Sequence, residues 1–275
     1  MMTIIPKIIG FVLNLISFLN LKLASKWALD LFSKPMKGRF KSTHPTLNKS
    51  EQSILYHNGL AIQVYHWKGR KETVLLAHGW ESNSGRWKNT ILRLKKLDYN
   101  IVALDAPAHG SSGGTAFNAV LYSEFIDVVC SKFEPTVLIG HSVGGMALSF
   151  FLINSAYQKA EKLIVLGAPA GFPGIFKNYS DLMGYNKRLR RGIESTIIKK
   201  FGKPSSYFNT ANFLQKITTC KGLIIHDESD PIIPYSDAQE IASAHQNSIL
   251  ITTKGLGHGL KGQQVVSAIV DFLEA

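Results

Sequence analysis

Short apolar runs alternate with amphipathic stretches from Thr73 to the C-terminus. The apolar runs are TVLLAHG, NIVALDAP, TVLIGHS, KLIVLGAP, GLIIHDES and SILITTKG. Helices are expected at about 86–97 and 117–133, after Val143, and from about Tyr235 and Gly262. Upstream, ILYHNGLAIQVYHW predicts two strands around Asn58-Gly59, the strongest two-residue hairpin signal. This alternation is typical of an α/β fold whose mostly parallel sheet is covered by helices on both faces.

One segment interrupts the alternation between the sixth and seventh predicted strands. Residues 171–220 show no comparable strand pattern and are rich in Phe, Tyr, Lys and Arg. A structureless loop of that length is unusual in a compact domain, so the segment is predicted to form an inserted cap. The expected organisation is therefore a helical arm with a basic connector over 1–50, followed by one domain over 51–275 that carries the cap.

The N-terminal arm contains an uncharged, largely apolar run from Ile8 to Leu21. That run is shorter than the roughly 20 residues that a membrane-spanning helix needs. Small and polar residues recur at steps of four and three, which predicts an amphipathic helix with one narrow polar stripe. The stripe consists of Thr3, Lys7, Gly10, Asn14 and Ser17. A cleaved signal peptide is the alternative, but the charged region before the run is short and no clean small-residue cleavage site follows.

Composition and charge narrow the class of protein. Of 275 residues, 45% are hydrophobic and 18% are charged, which fits a folded domain with a substantial core and excludes a disordered chain. The two cysteines, Cys130 and Cys220, form no CxxC pair, so redox chemistry and zinc clusters are not expected. The net charge of +12 is uneven, since residues 1–50 and 171–220 each sum to +7. No nucleic-acid-binding motif accompanies this charge, and no nucleic-acid partner is expected.

The sharpest chemical signal is Gly140-His141-Ser142-Val143-Gly144, where a predicted strand gives way to a helix. A strand-to-helix turn this sharp needs small neighbours, and it lifts the serine hydroxyl clear of the sheet. The pattern therefore predicts a nucleophile elbow with Ser142 as the nucleophile.

A serine nucleophile needs a histidine base that is oriented by a carboxylate. His258 lies in the flexible segment GLGHG after the last strand and is favoured over His245, which falls in a helical stretch. Among the carboxylates of HDESDPIIP, Asp230 is best placed because it precedes a proline in the loop, while Asp227 and Glu228 lie nearer the strand. A metal site formed by His226 with Asp227 and Asp230 is disfavoured, since no second histidine or cysteine accompanies them.

The chain resembles a known family in two respects, the order serine, acid, histidine and a set of five motifs. LLAHGW, DAPAHGSS, GHSVGG, ESDPIIP and GLGHG occur in the sequence expected for the α/β-hydrolase superfamily, from about residue 54 to the C-terminus. The chain most resembles serine esterase or lysophospholipase-like members with a short cap. The resemblance implies Ser142 as nucleophile, His258 as general base and acid, and Asp230 as the residue that orients it.

The resemblance also implies an oxyanion hole and a structural loop. The backbone N–H groups of Val143 and Trp80 are the expected donors. The sequence departs from the HGGG version of this loop at Trp80-Glu81, which disfavours bulky alcohol substrates. The segment from Asp105 to Gly110 is expected to shape the loop after the fourth strand.

These observations predict a serine hydrolase that cleaves small-molecule carboxylic esters and needs no cofactor or metal. The alternatives are a thioesterase or amidase with the same triad, and a non-enzymatic binding protein on the same fold. Substrate contacts are expected from Trp80, His141, Phe172 and Phe176. The aromatic residues of the cap favour an apolar acyl chain.

Location is predicted from the two basic segments. The protein is expected in the cytoplasm, with peripheral membrane contact through the arm and the cap; secretion is the disfavoured alternative. Packing of the arm's apolar face on the core or on a second subunit is the competing interpretation.

Overall fold

The computed structural model describes residues 4–36 and 45–275, so Thr3 of the predicted polar stripe lies outside the described residues. Eight strands form one sheet with the order β1-β2-β4-β3-β5-β6-β7-β8. The strands are β1 (Glu51–His57), β2 (Leu60–Trp67), β3 (Thr73–Ala77), β4 (Asn100–Leu104), β5 (Val137–His141), β6 (Lys162–Leu166), β7 (Lys221–Asp227) and β8 (Ser248–Thr253). Only β2 runs antiparallel to its neighbours β1 and β4, and the other pairs are parallel. This sheet confirms the predicted fold class.

The first two strands form the hairpin that Asn58-Gly59 predicts. Both turn residues have positive φ, +46° for Asn58 and +77° for Gly59. A two-residue turn with left-handed backbone at both positions matches the right-handed twist of the strands. The strands pair in register from Glu51 with His66 to His57 with Leu60.

The helices are α1 (Ile4–Leu19), α2 (Leu21–Ser33), α3 (Lys88–Lys96), α4 (Ala119–Phe133), α5 (Val143–Asn154), α6 (Phe172–Met183), α7 (Lys187–Phe201), α8 (Thr210–Leu214), α9 (Tyr235–Ala244) and α10 (Gln263–Glu274). Those predicted from the alternating pattern, α3, α4, α5, α9 and α10, lie close to the expected positions. The helix expected from residue 86 starts as a 3-10 turn over Ser84–Trp87. The helix expected from 117 begins at Ala119, because the Asn118 side chain accepts the Leu121 N–H at 2.9 Å and caps it.

Consecutive residues of a strand belong to two different apolar clusters, one on each face of the sheet. Leu75 and Leu138 belong to the cluster that contains α4 and α5 residues, and Leu76 and Ile139 belong to the cluster that contains α3 and α10 residues. All four side chains are fully buried. Burial on both faces explains why the strands appear in the sequence as continuous apolar runs rather than as alternating ones.

The chain divides into two compact units. The sheet unit spans residues 35–170 and 210–275, and the helical unit comprises residues 1–34 together with the cap segment 171–209. The cap segment contains α6 and α7, and its ends are tied by an antiparallel bridge between Gly171 and Asn209. The expected cap boundary at 220 includes α8, which belongs to the sheet unit instead.

The N-terminal arm forms two helices rather than one. The backbone of Asn20 is extended, at φ −148°, and its side chain accepts the Leu23 N–H at 3.0 Å as the N-cap of α2. An asparagine favours such a cap over a helix interior, which accounts for the break. Among the described residues, no helix is long and apolar enough to cross a membrane.

Three residues of the polar stripe, Gly10, Asn14 and Ser17, lie on the packed side of α1 together with Leu13, whereas Lys7 is exposed. Gly10 lies against the Met183 carbonyl of α6, so closely that a Cβ there would be 1.7 Å from the oxygen. The Asn14 amide donates to the Gly184 carbonyl at 2.8 Å and accepts the Asn186 N–H at 2.9 Å. The small and polar residues therefore seat α1 on the cap helices, and the wide apolar face is left exposed.

Candidate active site

Ser142 occupies the sharp turn between β5 and α5. Its backbone has φ +54° and ψ −127°, a strained conformation for a residue with a side chain. Glycines make the turn possible, because a Cβ on Gly140 would be 2.6 Å from the Gly145 Cα and one on Gly144 would be 2.3 Å from the Ala77 oxygen. The motif thus needs glycine at positions 140 and 144 because the turn packs closely against α5 and against the neighbouring strand β3.

The structure brings Ser142, His258 and Asp230 together although they are far apart in the sequence. The His258 Nε2 is 3.1 Å from the Ser142 Oγ, and its Nδ1 is 2.7 Å from the Asp230 Oδ2. The carboxyl of Asp230 is fully buried, whereas the imidazole is 16% exposed. With Nδ1–H donating to the carboxylate, Nε2 faces the serine hydroxyl as an acceptor, which is the arrangement a general base requires.

The turn after β7 fixes the carboxyl of Asp230. Its Oδ1 accepts the N–H groups of Ile232 at 2.8 Å and Ile233 at 3.0 Å. Beside it, His226 is buried, and its Nε2 lies 3.0 Å from the Ile233 carbonyl oxygen and 3.4 Å from the Asp230 Oδ2. These contacts leave Oδ2 in one orientation, aimed at His258.

The other two carboxylates after β7, those of Glu228 and Asp227, have different partners. Glu228 is exposed and pairs with Lys254 at 3.3 Å. Asp227 is fully buried and accepts from the Thr253 hydroxyl at 2.9 Å and the Leu256 N–H at 2.8 Å. Burial raises the pKa of this carboxyl, but the donors on it outweigh burial and hold the pKa below its usual value.

Asp227 was not singled out from the sequence as a contributor to the site. Its two acceptor contacts hold the loop from Thr253 to Leu256, which leads directly into His258. The available signal was its position at the carboxyl end of β7, beside the end of β8, where a buried carboxylate can reach the loop that follows the neighbouring strand.

His245 is the C-cap residue of α9 and is buried. Its backbone N–H donates to the Ile241 carbonyl at 3.0 Å, and its ring packs against Gly222 at the start of β7. No group of three or more His, Cys, Asp and Glu side chains is placed to hold a metal ion within residues 4–36 and 45–275.

The predicted oxyanion loop runs directly against the elbow. A Cβ on Gly79 would be 2.9 Å from both the His141 oxygen and the Ser142 Cβ, so glycine is required for this approach. Val143 is the first residue of α5, and its N–H has no acceptor within the helix. Neither this N–H nor that of Trp80 donates a hydrogen bond to any residue that the structure describes.

The candidate substrate contacts separate into two groups. Trp80 is half-buried and its ring lies edge-on to His109 and Phe117, at 5.5 and 5.2 Å between centroids. His141 is buried, and its Nε2–H donates to the His258 carbonyl at 2.8 Å, so it supports the loop that carries the base. Burial lowers the pKa of His141 well below its usual value, which keeps the ring neutral.

Phe172 and Phe176 lie in the helical unit, where their rings stack at 5.9 Å. Both also meet the Phe32 ring of α2 edge-on, at 5.7 and 6.4 Å. These contacts account for both side chains as packing between the arm and the cap helices.

A buried network shapes the loops after β3 and β4. The carboxyl of Asp105 accepts from the Tyr65 hydroxyl, from the Ser111 N–H, and from both the N–H and the hydroxyl of Ser84, at 2.8–3.1 Å. The adjacent His78 donates from Nδ1 to the Gly79 carbonyl and accepts the Ala106 N–H at Nε2. Burial lowers the pKa of His78 to about 3, so the ring is neutral and joins the oxyanion loop to the β4 loop.

Comparisons with known proteins agree with this architecture. The chain is 25% identical over 180 residues to a protein named as an esterase/lipase in Mycoplasma genitalium, covering 63% of this chain and 65% of that protein. It is 22% identical over 265 residues to a bifunctional esterase/perhydrolase of Acinetobacter calcoaceticus, covering 78% and 96%. It thus spans slightly less than two thirds of the first relative and nearly all of the second.

Solved structures show the same fold. An esterase from Exiguobacterium antarcticum superposes with a TM-score of 0.64 at 20% identity, covering 82% of this chain and all of that one. The model of the alpha/beta hydrolase family matches residues 74–262. That match covers the chain from Val74 in β3 to beyond β8 and includes Ser142, Asp230 and His258, and the chain belongs to the alpha/beta hydrolase family.

Proposed function

We propose that this protein is a serine hydrolase that cleaves carboxylic esters through an acyl-enzyme formed on Ser142. One observation carries the proposal: the His258 ring bridges the Ser142 hydroxyl at 3.1 Å and the buried Asp230 carboxyl at 2.7 Å. The names of the relatives, which include esterase/lipase and esterase/perhydrolase, support an ester as the substrate.

In the proposed reaction the Ser142 Oγ attacks the acyl carbonyl while the His258 Nε2 takes the hydroxyl proton. Asp230 stabilises the resulting imidazolium, and its fixed orientation keeps the correct tautomer in the resting enzyme. The N–H groups of Val143 and Trp80 bind the oxyanion, a contribution typically worth a few kcal/mol per donor. The imidazolium then protonates the leaving alcohol, and a water activated by the same histidine releases the acid.

We infer an apolar acyl chain from the aromatic residues of the cap, although the ring contacts of Phe172 and Phe176 with Phe32 give those two a packing role. A thioester or amide would use the same residues. Esters, thioesters and amides form the same acyl-enzyme. They differ only in the leaving group, which is an alcohol, a thiol or an amine.

The test is labelling and burst kinetics. The purified protein should react covalently with a fluorophosphonate and release a burst of p-nitrophenol from its esters, with the rate increasing as the acyl chain lengthens. Ser142→Ala should abolish both signals. The matched control is Ser149→Ala, which removes a buried hydroxyl from α5, the helix that follows Ser142. The Ser149 hydroxyl donates to the Gly145 carbonyl.

Each outcome bears on the proposal. Labelling without ester turnover, but with turnover of acyl thioesters, would replace the ester with a thioester. A decline in rate as the chain grows from acetyl would overturn the apolar acyl preference. If the folded protein neither labels nor bursts, the fold serves as a binding protein and the proposal is wrong.

A further inference from the structure

The outward face of α1 is apolar over its whole length. Nine large apolar side chains lie on it, each between 37% and 90% exposed, and together they cover about half of the helix circumference. They are Ile4, Ile5, Ile8, Ile9, Phe11, Val12, Leu15, Phe18 and Leu19. A helix of sixteen residues is about 24 Å long, so the face is an unbroken strip rather than scattered exposed side chains.

The helix is seated so that this face cannot turn inward. The opposite side carries Gly10, Asn14 and Ser17, and it fits the cap helices through one close backbone approach and two hydrogen bonds. Rotation of α1 by half a turn would place bulky side chains where a Cβ on Gly10 already overlaps the Met183 carbonyl. Because of this packing, the helical unit exposes its most apolar surface.

The same unit carries most of the protein's net positive charge. Residues 4–34 and 171–209 contain twelve Lys and Arg against three Asp and Glu, a net +9 of the total +12. One of these cations borders the apolar face: the Arg188 Nε donates to the Ser17 carbonyl at 3.0 Å, and its guanidinium lies 5.7 Å from the Phe18 ring. On α2, Trp27 is 48% exposed beside the exposed Lys26.

We propose that the helical unit docks on an anionic lipid bilayer, with α1 lying in the plane of the interface. The apolar face enters the boundary between head groups and acyl chains, and cationic side chains of the helical unit, such as Arg188 beside Phe18, meet the lipid phosphates. A tryptophan next to a lysine suits the same boundary, since the indole prefers the head-group level. This surface is independent of the proposed ester hydrolysis.

A second copy of the chain fits the observations less well. Two helical units that met through α1 would bring together surfaces of +9 each, and like charges at an interface are repulsive. The apolar strip also lacks the polar partners that normally fix the register of a protein interface. A bilayer supplies the opposite charge and an apolar layer at once.

The test is co-sedimentation of the full chain with vesicles made of equal parts phosphatidylglycerol and phosphatidylcholine. The wild type should pellet with them at low salt, and binding should weaken strongly at high salt or with phosphatidylcholine alone. Phe11→Ser with Leu15→Ser should weaken binding by about tenfold or more, because two side chains no longer leave water. Lys7→Gln with Lys26→Gln, which removes an exposed cation of α1 and the one beside Trp27, should weaken it by about fivefold per charge.

The matched control is Ile54→Ser with Ile249→Ser. These residues, on β1 and β8 of the sheet unit, are 54% and 58% exposed, as Phe11 and Leu15 are 62% and 52% exposed. The control pair should bind like the wild type. Equal binding by the α1 variant and the wild type, or no binding by the wild type, would overturn the proposal. A dimer in analytical ultracentrifugation that the α1 substitutions dissociate, without vesicle binding, would assign the face to a second copy.

Discussion

The sheet unit and the helical unit use their apolar residues in opposite ways. In the sheet unit, residues such as Leu75 and Leu76 are fully buried on the two faces of the sheet. In α1 of the helical unit, Ile8 and Phe11 are 57% and 62% exposed, and the buried positions include Gly10 and Ser17. The sheet unit thus buries its large apolar side chains, whereas α1 packs mainly through small and polar residues and leaves most of its large apolar side chains exposed.

The two units also differ in their titratable groups. The eight histidines among the described residues and the three residues of the candidate triad lie in the sheet unit, and residues 4–34 and 171–209 contain no histidine. The sheet unit thus contains the proposed chemistry, and the helical unit contains the surface that we propose for attachment. Separate changes in each unit should therefore have separable consequences.

The largest expected effect concerns Asp230 in the sheet unit. Asp230→Asn should lower kcat by about 10,000-fold while the protein stays folded. The amide would face the His258 Nδ1 with a donor and would lose the counter-charge for the imidazolium, yet its remaining oxygen could still accept from Ile232 and Ile233. Steady-state kinetics on an activated ester and circular dichroism measure the two quantities.

Asp227→Asn is the comparison for that variant. It should cost about 1–3 kcal/mol of unfolding free energy, because an NH₂ group would meet the Thr253 hydroxyl or the Leu256 N–H, and it should affect kcat far less. A severe loss of kcat in Asp227→Asn together with near-normal turnover in Asp230→Asn would show that His258 is oriented by the other carboxylate.

Most of the sheet unit could be predicted from the sequence because its signals are local. Strands buried on both faces are continuous apolar runs, and the elbow needs glycine at fixed spacing around Ser142. Asp227 was missed because its role depends on the pairing of β7 with β8, which no local pattern specifies. Asp230 was chosen only from the proline after it, a feature that says nothing about where His258 lies.

The helical unit was predicted less completely, for a different physical reason. The period of the polar stripe gives the faces of α1, but it does not say which face is buried, since that depends on what the cap presents. The stripe through Gly10 and Asn14 meets backbone groups of Met183, Gly184 and Asn186, about 170 residues away in sequence. The break at Asn20 was readable in principle from its N-cap propensity.

The second prediction concerns a substitution in the helical unit that leaves the candidate triad unchanged. Gly10→Ala should destabilise the seating of α1 by about 1–3 kcal/mol, since the new methyl overlaps the Met183 carbonyl. Hydrogen exchange of the α1 amides should then accelerate, while turnover of a soluble ester stays unchanged.

The matched control is Gly174→Ala in α6, where a Cβ would have no heavy atom within 4 Å. There the alanine should stabilise the helix by about 0.5–1 kcal/mol, so the same substitution has opposite signs at the two sites. Slower or unchanged exchange of α1 in Gly10→Ala would mean that the arm does not rest on α6 through this contact.

The smallest effect is the acid sensitivity of the sheet unit. Burial lowers the pKa of His78 to about 3, against about 6.5 in the unfolded chain. Between these values only the unfolded chain binds the proton, so the contribution to stability is complete above about pH 6.5 and falls by about 1.4 kcal/mol per pH unit below it. His141, whose pKa burial also lowers, acts in the same direction.

Urea unfolding at pH 7 and at about pH 5.5 measures this dependence. The free energy of unfolding should fall on acidification, and His78→Gln should reduce the fall, because one of the three rings whose pKa burial lowers, those of His78, His141 and His245, is gone. The glutamine amide can replace the ring as donor to Gly79 and acceptor from Ala106, so the slope rather than the absolute stability is the deciding quantity. An unchanged slope in His78→Gln would place the acid sensitivity elsewhere in the sheet unit, since the helical unit contains no histidine.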